Sequence, residues 1–205
     1  MLIVYYTYYT PVSDFTSIVE SQEHMLGRRL LLAGMKNIYQ IDCTMDGLDS
    51  LLTVSPNGKP YLDGLSHIHF NITHCDRLVA CAFADHPIGI DAELPAHFED
   101  VLIKKVLSPE EKHFFNKIAV NDKLRTQWFF RFWTLKEAYV KKIGTGIRDP
   151  LSGITFTFSR ACTPYSVTCS DSTVVFWQHT LKSGHILSVC HSHPEKSVLL
   201  VFQDL

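Results

Sequence analysis

The segment Trp133-Thr134-Leu135-Lys136-Glu137-Ala138-Tyr139-Val140-Lys141-Lys142, closed by Gly144-Thr145-Gly146, constrains the fold more than any other stretch of the chain. At 100° per residue, Phe129, Phe132, Trp133, Leu135, Tyr139, Val140 and Ile143 fill one apolar arc, the pattern of a helix laid against a core. Lys136 projects from the middle of that arc. An unpaired ammonium there is costly to desolvate, so it either snorkels to water or meets an anion. Glu137 and Lys141 lie one turn apart at the edge of the arc, and on their own they make an ordinary i,i+4 pair.

With 205 residues, 46% of them apolar, the chain can bury one substantial core or two small ones. Residues 1–8 carry neither a basic leader nor a sustained apolar run, which predicts a cytoplasmic protein with no membrane association. Six cysteines without any C-x-x-C spacing read as reduced thiols, most of them in the core. Charge is unevenly spread. Residues 104–148 hold 11 Lys or Arg against 4 Asp or Glu, whereas the whole chain has 19 against 21. A basic middle in an acidic frame suits an anionic partner, although a solvated helix face gives the same pattern. No zinc-knuckle or RNP-like pattern supports nucleic acid as that partner.

Residues 2–9 read as a strand, followed by a helix capped by Ser13 and running to Gly34. Arg28, on that helix, belongs to the first basic pair in the chain, and residues 1–27 have no Lys or Arg. Residues 40–66 read mainly as loop, with Pro56-Asn57-Gly58-Lys59-Pro60 as a tight turn that pins Lys59. His67 to Thr73 alternates like a strand, with His67, His69, Asn71 and Thr73 on a polar face; a sheet face explains this better than a metal. His74 stands at the strand end before a Cys75-Asp76 turn, and 78–83 returns as the hairpin partner.

Ile88 to Glu93 then forms a short extended segment in which Asp91 and Glu93 point to one side, their Cα atoms about 6.5 Å apart. Two acids on an apolar strand repel each other, and a bound cation is the economical explanation. Hard oxygen ligands favour Mg²⁺, or Mn²⁺, over zinc. Ser108-Pro109-Glu110-Glu111 matches a capping box, which by itself accounts for Glu111. A long helix runs from about Asp122 to Ile143, and runs at 153–158, 173–181, 185–191 and 197–203 read as strands. The order of elements predicts an α+β fold in two similar halves related by a pseudo-two-fold axis. Each half is a small, mostly antiparallel sheet packed with a long helix: residues 1–90 form the first and 91–205 the second.

Three strings taken together, GKP at 58–60 with FNITH at 70–74, GIDAE at 89–93 and FWTLKEAYVKKIGTGI at 132–147, resemble the signature of the 4′-phosphopantetheinyl transferases. The likeness is to the larger type that activates surfactin synthetase, and it spans roughly residues 28–147. It implies holo-acyl-carrier-protein synthase activity: the phosphopantetheine arm of coenzyme A moves to a serine of an apo acyl or peptidyl carrier protein, releasing adenosine 3′,5′-bisphosphate. By this resemblance Asp91, Glu93 and Glu137 are the magnesium ligands, and Lys136 and Lys141 contact the coenzyme A phosphates. Thr73 and His74 grip the 3′-phosphate and its neighbours, Lys59 and Arg28 add coenzyme A contacts, and Glu111 aligns with a glutamate near the pantetheine.

The serine proton goes to Glu137 or to a metal-bound water, with Lys141 beside the reacting phosphate. The implied protein is a monomer with pseudo-dimeric halves, the site in the cleft between them and an acidic helical carrier domain as partner. The chain departs from the family at Ala92, at Cys75 and in its unbasic first 27 residues. A metal-dependent phosphodiesterase or nuclease using the same acids, and a non-catalytic coenzyme A or carrier-binding module, are the rival readings.

Overall fold

The computed structural model describes residues 2–12, 16–146, 151–159, 166–192 and 198–205. Ser13, Cys162, His193 and the Pro150 stop lie outside the described residues. Strand β1 (Leu2–Tyr8) is followed by helix α1 (Thr16–Tyr39), which runs past the Gly34 stop expected from sequence. Gly34 is a point of close approach: a Cβ there would overlap the Phe83 ring. The helix ends instead at an αL cap, with Gln40 left-handed at φ 59 and its N–H donating to the Lys36 carbonyl at 3.2 Å, while the Ile41 N–H reaches the Met35 carbonyl at 3.0 Å.

Residues 40–66 hold more structure than their polar composition announces. Helix α2 (Met45–Leu51) starts at Thr44, whose hydroxyl accepts from the Gly47 N–H, and β2 (Leu52–Val54) turns at Pro56–Gly58 into β3 (Pro60–Leu62). The hairpin β4 (His69–Cys75) and β5 (Leu78–Ala84) then joins β1 in a sheet ordered β11-β1-β5-β4. Its edge strand β11 (Val198–Phe202) comes from the C-terminal end of the chain and pairs parallel with β1.

A second sheet is ordered β6-β10-β9, from β6 (Gly89–Glu93), β9 (Val175–Thr180) and β10 (Ile186–His191). Helices α3 (Val101–Val106), α4 (Pro109–Ile118) and α5 (Asp122–Ile143) lie between β6 and a small hairpin of β7 (Phe156–Ser159) and β8 (Ser166–Cys169). Strand β8 went unread in the sequence, and the expected run at 153–158 begins with a 3₁₀ turn at Leu151–Gly153.

Side-chain alternation sorts the layers. Ile3, Tyr5, Val79, Cys81 and Phe83 face α1, whereas Leu2, Val4, Leu78, Ala80 and Ala82 face Ile88, just before β6, and Ile90, Leu187 and Val189 of the second sheet. On the far side of that sheet, Ala138 of α5 packs on Cys190 of β10, and Phe129, Phe132 and Leu135 pack with Phe115 of α4 and Phe156 of β7. The result is helix, sheet, sheet, helix, an α+β architecture with several small sheets. Among the described residues no helix is long and apolar enough to cross a membrane.

Candidate active site

Helix α5 starts at Asn121, whose side chain accepts from the Leu124 N–H, and stops at left-handed Gly144. Its face toward β6 is approached unusually closely. A Cβ on Gly89 would overlap the Ala138 carbonyl oxygen and the Lys142 nitrogen, so only glycine lets the strand lie against the helix. Two residues along, Asp91 is thereby brought up to Lys141, with Nζ donating to Oδ1 at 2.6 Å. From the other side β4 supplies Thr73, whose hydroxyl donates to Asp91 Oδ1 at 3.3 Å and accepts from Lys141 at 3.2 Å. The face of β4 read as polar is therefore not a solvated one: Asn71 and Thr73 are buried, and Asn71 Oδ1 accepts the Ile90 N–H at 2.9 Å.

Ile72, Thr73, His74, Asp91, Glu93, Trp133, Glu137 and Lys141 line one cavity of about 370 Å³. Six of the residues singled out from sequence are thus brought together. A neighbouring cavity of about 260 Å³ shares Glu137 and Lys141 and adds Lys59 and Asn71. The electrostatics of the first cavity are unbalanced, with three carboxylates facing one ammonium. Burial pushes the Asp91 pKa up against the opposing pull of Lys141, and burial with the charge of Asp91 pushes Glu137 up and Glu93 to about 7. The Trp133 indole N–H donates to Glu93 and holds part of that rise back. Trp133 had been read only as part of the apolar arc.

Asp91 Oδ2 and Glu137 Oε1 are buried and have no hydrogen-bond partner. Hard, negatively charged oxygens left unpaired in a half-closed cleft are the donor set of an oxygen-preferring divalent cation. Among the described residues no three acidic, His or Cys side chains are already gathered as a ready metal cage. Asp91 is turned to Lys141 instead, so the donor chemistry fits Mg²⁺ while the carboxylates have still to converge.

Three residues expected at coenzyme A lie elsewhere. Lys136 is fully buried away from the cleft, where Nζ pairs with Glu111 Oε2 at 2.7 Å and donates to the carbonyls of Leu151 and Ile154 at 2.8 and 2.6 Å. Its anion is internal. Glu111 is fully engaged too, accepting the Ser108 N–H at Oε2 and the Phe156 N–H at Oε1, both at 2.7 Å, which exceeds the capping role read from sequence and leaves nothing for a pantetheine arm. Arg28 is likewise engaged, by Asp49 and Met45 of α2, and does not line the cavity. Lys59 stands next to the site with Nζ turned inward to the carbonyls of Ile88 and Lys142 at 2.8 and 3.0 Å; burial, then Lys142, lowers its pKa to about 8.

Two residues that sequence reading missed stand behind His74. Glu23 of α1 takes His74 Nδ1 at 2.9 Å, and the Tyr9 hydroxyl donates to the same carboxylate.

The 4′-phosphopantetheinyl transferase superfamily matches over residues 87–190. The chain is 27% identical to the 4′-phosphopantetheinyl transferase Sfp of Bacillus subtilis over 86% of its own length and 76% of that protein. It is 27% identical to the 4′-phosphopantetheinyl transferase gsp of Aneurinibacillus migulanus, over 86% and 71%. A crystal structure of holo-[acyl-carrier-protein] synthase from Neisseria meningitidis overlays 52% of this chain and 97% of that one, at 19% identity and a TM-score of 0.41. The chain belongs to the 4′-phosphopantetheinyl transferase superfamily and is an enzyme of that family.

Proposed function

We propose that the protein transfers 4′-phosphopantetheine from coenzyme A to a serine hydroxyl of an apo acyl or peptidyl carrier protein, with Mg²⁺ held by Asp91, Glu93 and Glu137. The observation that carries this is the pair of buried, unpartnered oxygens, Asp91 Oδ2 and Glu137 Oε1, in a cleft that also offers Lys141. When bound, the cation would neutralise charge developing on the pyrophosphate of coenzyme A. The serine oxygen forms a bond to the pantetheine-bearing phosphorus, and the bond from that phosphorus to the leaving phosphate breaks, giving adenosine 3′,5′-bisphosphate. Glu137 takes the serine proton, and Lys141, released from Asp91, holds the reacting phosphate. Thr73, His74 and Lys59 place the remaining phosphates along the two adjoining cavities.

The site lies where β4 meets β6 and α5, and in the proposed division into two related halves, residues 1–90 and 91–205, the boundary falls inside β6 while β11 returns from the second half to the sheet of the first. Exposed Lys104, Lys105, Lys117 and Lys123 on α3, α4 and α5 suit an acidic carrier domain. Incubation with a panel of apo carriers, coenzyme A and Mg²⁺, read by intact mass, tests the proposal. A carrier heavier by one phosphopantetheine supports it, and an unmodified panel beside Mg²⁺-dependent cleavage of nucleic acid in a parallel incubation would transfer the site to the phosphodiesterase reading.

A further inference from the structure

His74 and Thr73 are sequence neighbours on edge strand β4 and so point to opposite faces. Thr73 enters the acid cluster, while His74 leans toward α1, its side chain 54% exposed at the rim of the same cavity. The group it leans on is not a surface acid. The Glu23 side chain is only 9% exposed, and both its oxygens are used, Oε2 by His74 Nδ1 and Oε1 by the Tyr9 hydroxyl. Tyr9 is itself buried, and burial together with Glu23 holds its hydroxyl protonated well above the usual phenol range, so it remains a donor. A buried carboxylate that is hydrogen-bonded on one oxygen and aimed at a half-exposed imidazole with the other has the form of an orienting group.

We propose that Glu23, braced by Tyr9, is a positioning residue that accepts from His74 Nδ1–H and so turns the Nε2 edge of the ring to the cleft, where the doubly protonated imidazole donates to a phosphate oxygen. The kinetic consequence rests on the transfer reading above; the orientation of the ring does not. Without Glu23 the ring is free to turn and to exchange tautomers, and a contact to the phosphate donor must then be ordered during binding. The arrangement therefore acts on coenzyme A binding more than on the chemical step.

Two measurements test it. In long-range ¹H–¹⁵N spectra of the neutral imidazole, wild-type His74 should carry its proton on Nδ1, and a proton on Nε2 overturns the proposal whatever the enzyme catalyses. Replacing both partners by apolar groups of similar shape, Tyr9→Phe with Glu23→Leu, should release the tautomer and raise the KM for coenzyme A about tenfold, with a fall in kcat of threefold or less. Glu23→Gln, which keeps an acceptor, should restore the tautomer and most of the KM. Adding the double replacement to His74→Ala should cost no more than His74→Ala alone. Full additivity, or an unchanged tautomer and KM in the double variant, contradicts the proposal. If wild type transfers nothing to any carrier, the transfer reading falls and the tautomer alone decides the role of Glu23.

Discussion

Lys136 and Glu137 are adjacent on α5, about 100° apart around the helix, and the two ionic centres they belong to differ in every respect that matters. The Lys136 centre is closed: one ammonium, one carboxylate, both fully buried, with carbonyls and backbone N–H groups completing the hydrogen bonds of each. The Glu137 centre is open, with excess negative charge, two oxygens left unpaired and a cavity in front of it. A closed pair joins α4, α5 and the 151–156 segment and has no capacity left for a ligand. An open cluster costs stability in the empty protein and repays it only when a cation and a phosphate arrive. Adjacent residues thus divide the work of the helix between holding the fold and serving the cleft.

Exchanging the roles of the two centres breaks the comparison most sharply. Glu137→Gln, which keeps the side-chain shape, should lower transfer by about a thousandfold or more, equal to about 4 kcal/mol of transition-state stabilisation. The same variant should melt at a temperature equal to or above wild type without Mg²⁺, because one repelling charge is gone. Carrier modification measured by mass, beside a melting curve, checks both. Lys136→Met should do the reverse and destabilise by about 3–5 kcal/mol, because Glu111 is then left buried and unpaired. Urea unfolding reads that loss, and adding Glu111→Gln, which removes the unpaired charge but keeps an acceptor for the backbone N–H groups of Ser108 and Phe156, should recover part of it.

These contrasts also mark how far the sequence could be read. The i,i+2 spacing of Asp91 and Glu93 and the offset of Glu137 from the apolar arc were visible, because strand and helix periods are local properties. The same reasoning found that Lys136 needed an anion but put that anion in the ligand. Its partners, Glu111 and the carbonyls of Leu151 and Ile154, come from other elements and leave no local trace. Glu23 and Tyr9 escaped notice for that reason: only the packing of α1 on the edge of β4 brings them to His74. Gly34 was misread as a stop because a glycine needed for close approach to Phe83 looks the same in sequence.

A smaller effect sharpens the comparison further. Glu93 titrates at about 7 in the folded chain against an ordinary value of 4.5, so between those limits the unfolded chain gives up its proton first. In chelator the contribution of Glu93 to stability should therefore be fully present below about 4.5, be lost as pH rises toward 7, and stay lost above it. Saturating Mg²⁺ or Glu93→Gln should flatten that slope, as followed by urea midpoints across the range. At the closed centre, Mg²⁺ should change nothing: the destabilisation caused by Lys136→Met should be the same with and without the metal.

The central claim is that three carboxylates of the cleft share one hard cation, and counting bound Mn²⁺ by electron paramagnetic resonance tests it most directly. One Mn²⁺ per chain in wild type, competed by Mg²⁺ and lost in Glu137→Gln but kept in Glu111→Gln, is the predicted result. No bound Mn²⁺ in wild type, or full binding retained in Glu137→Gln, would contradict it.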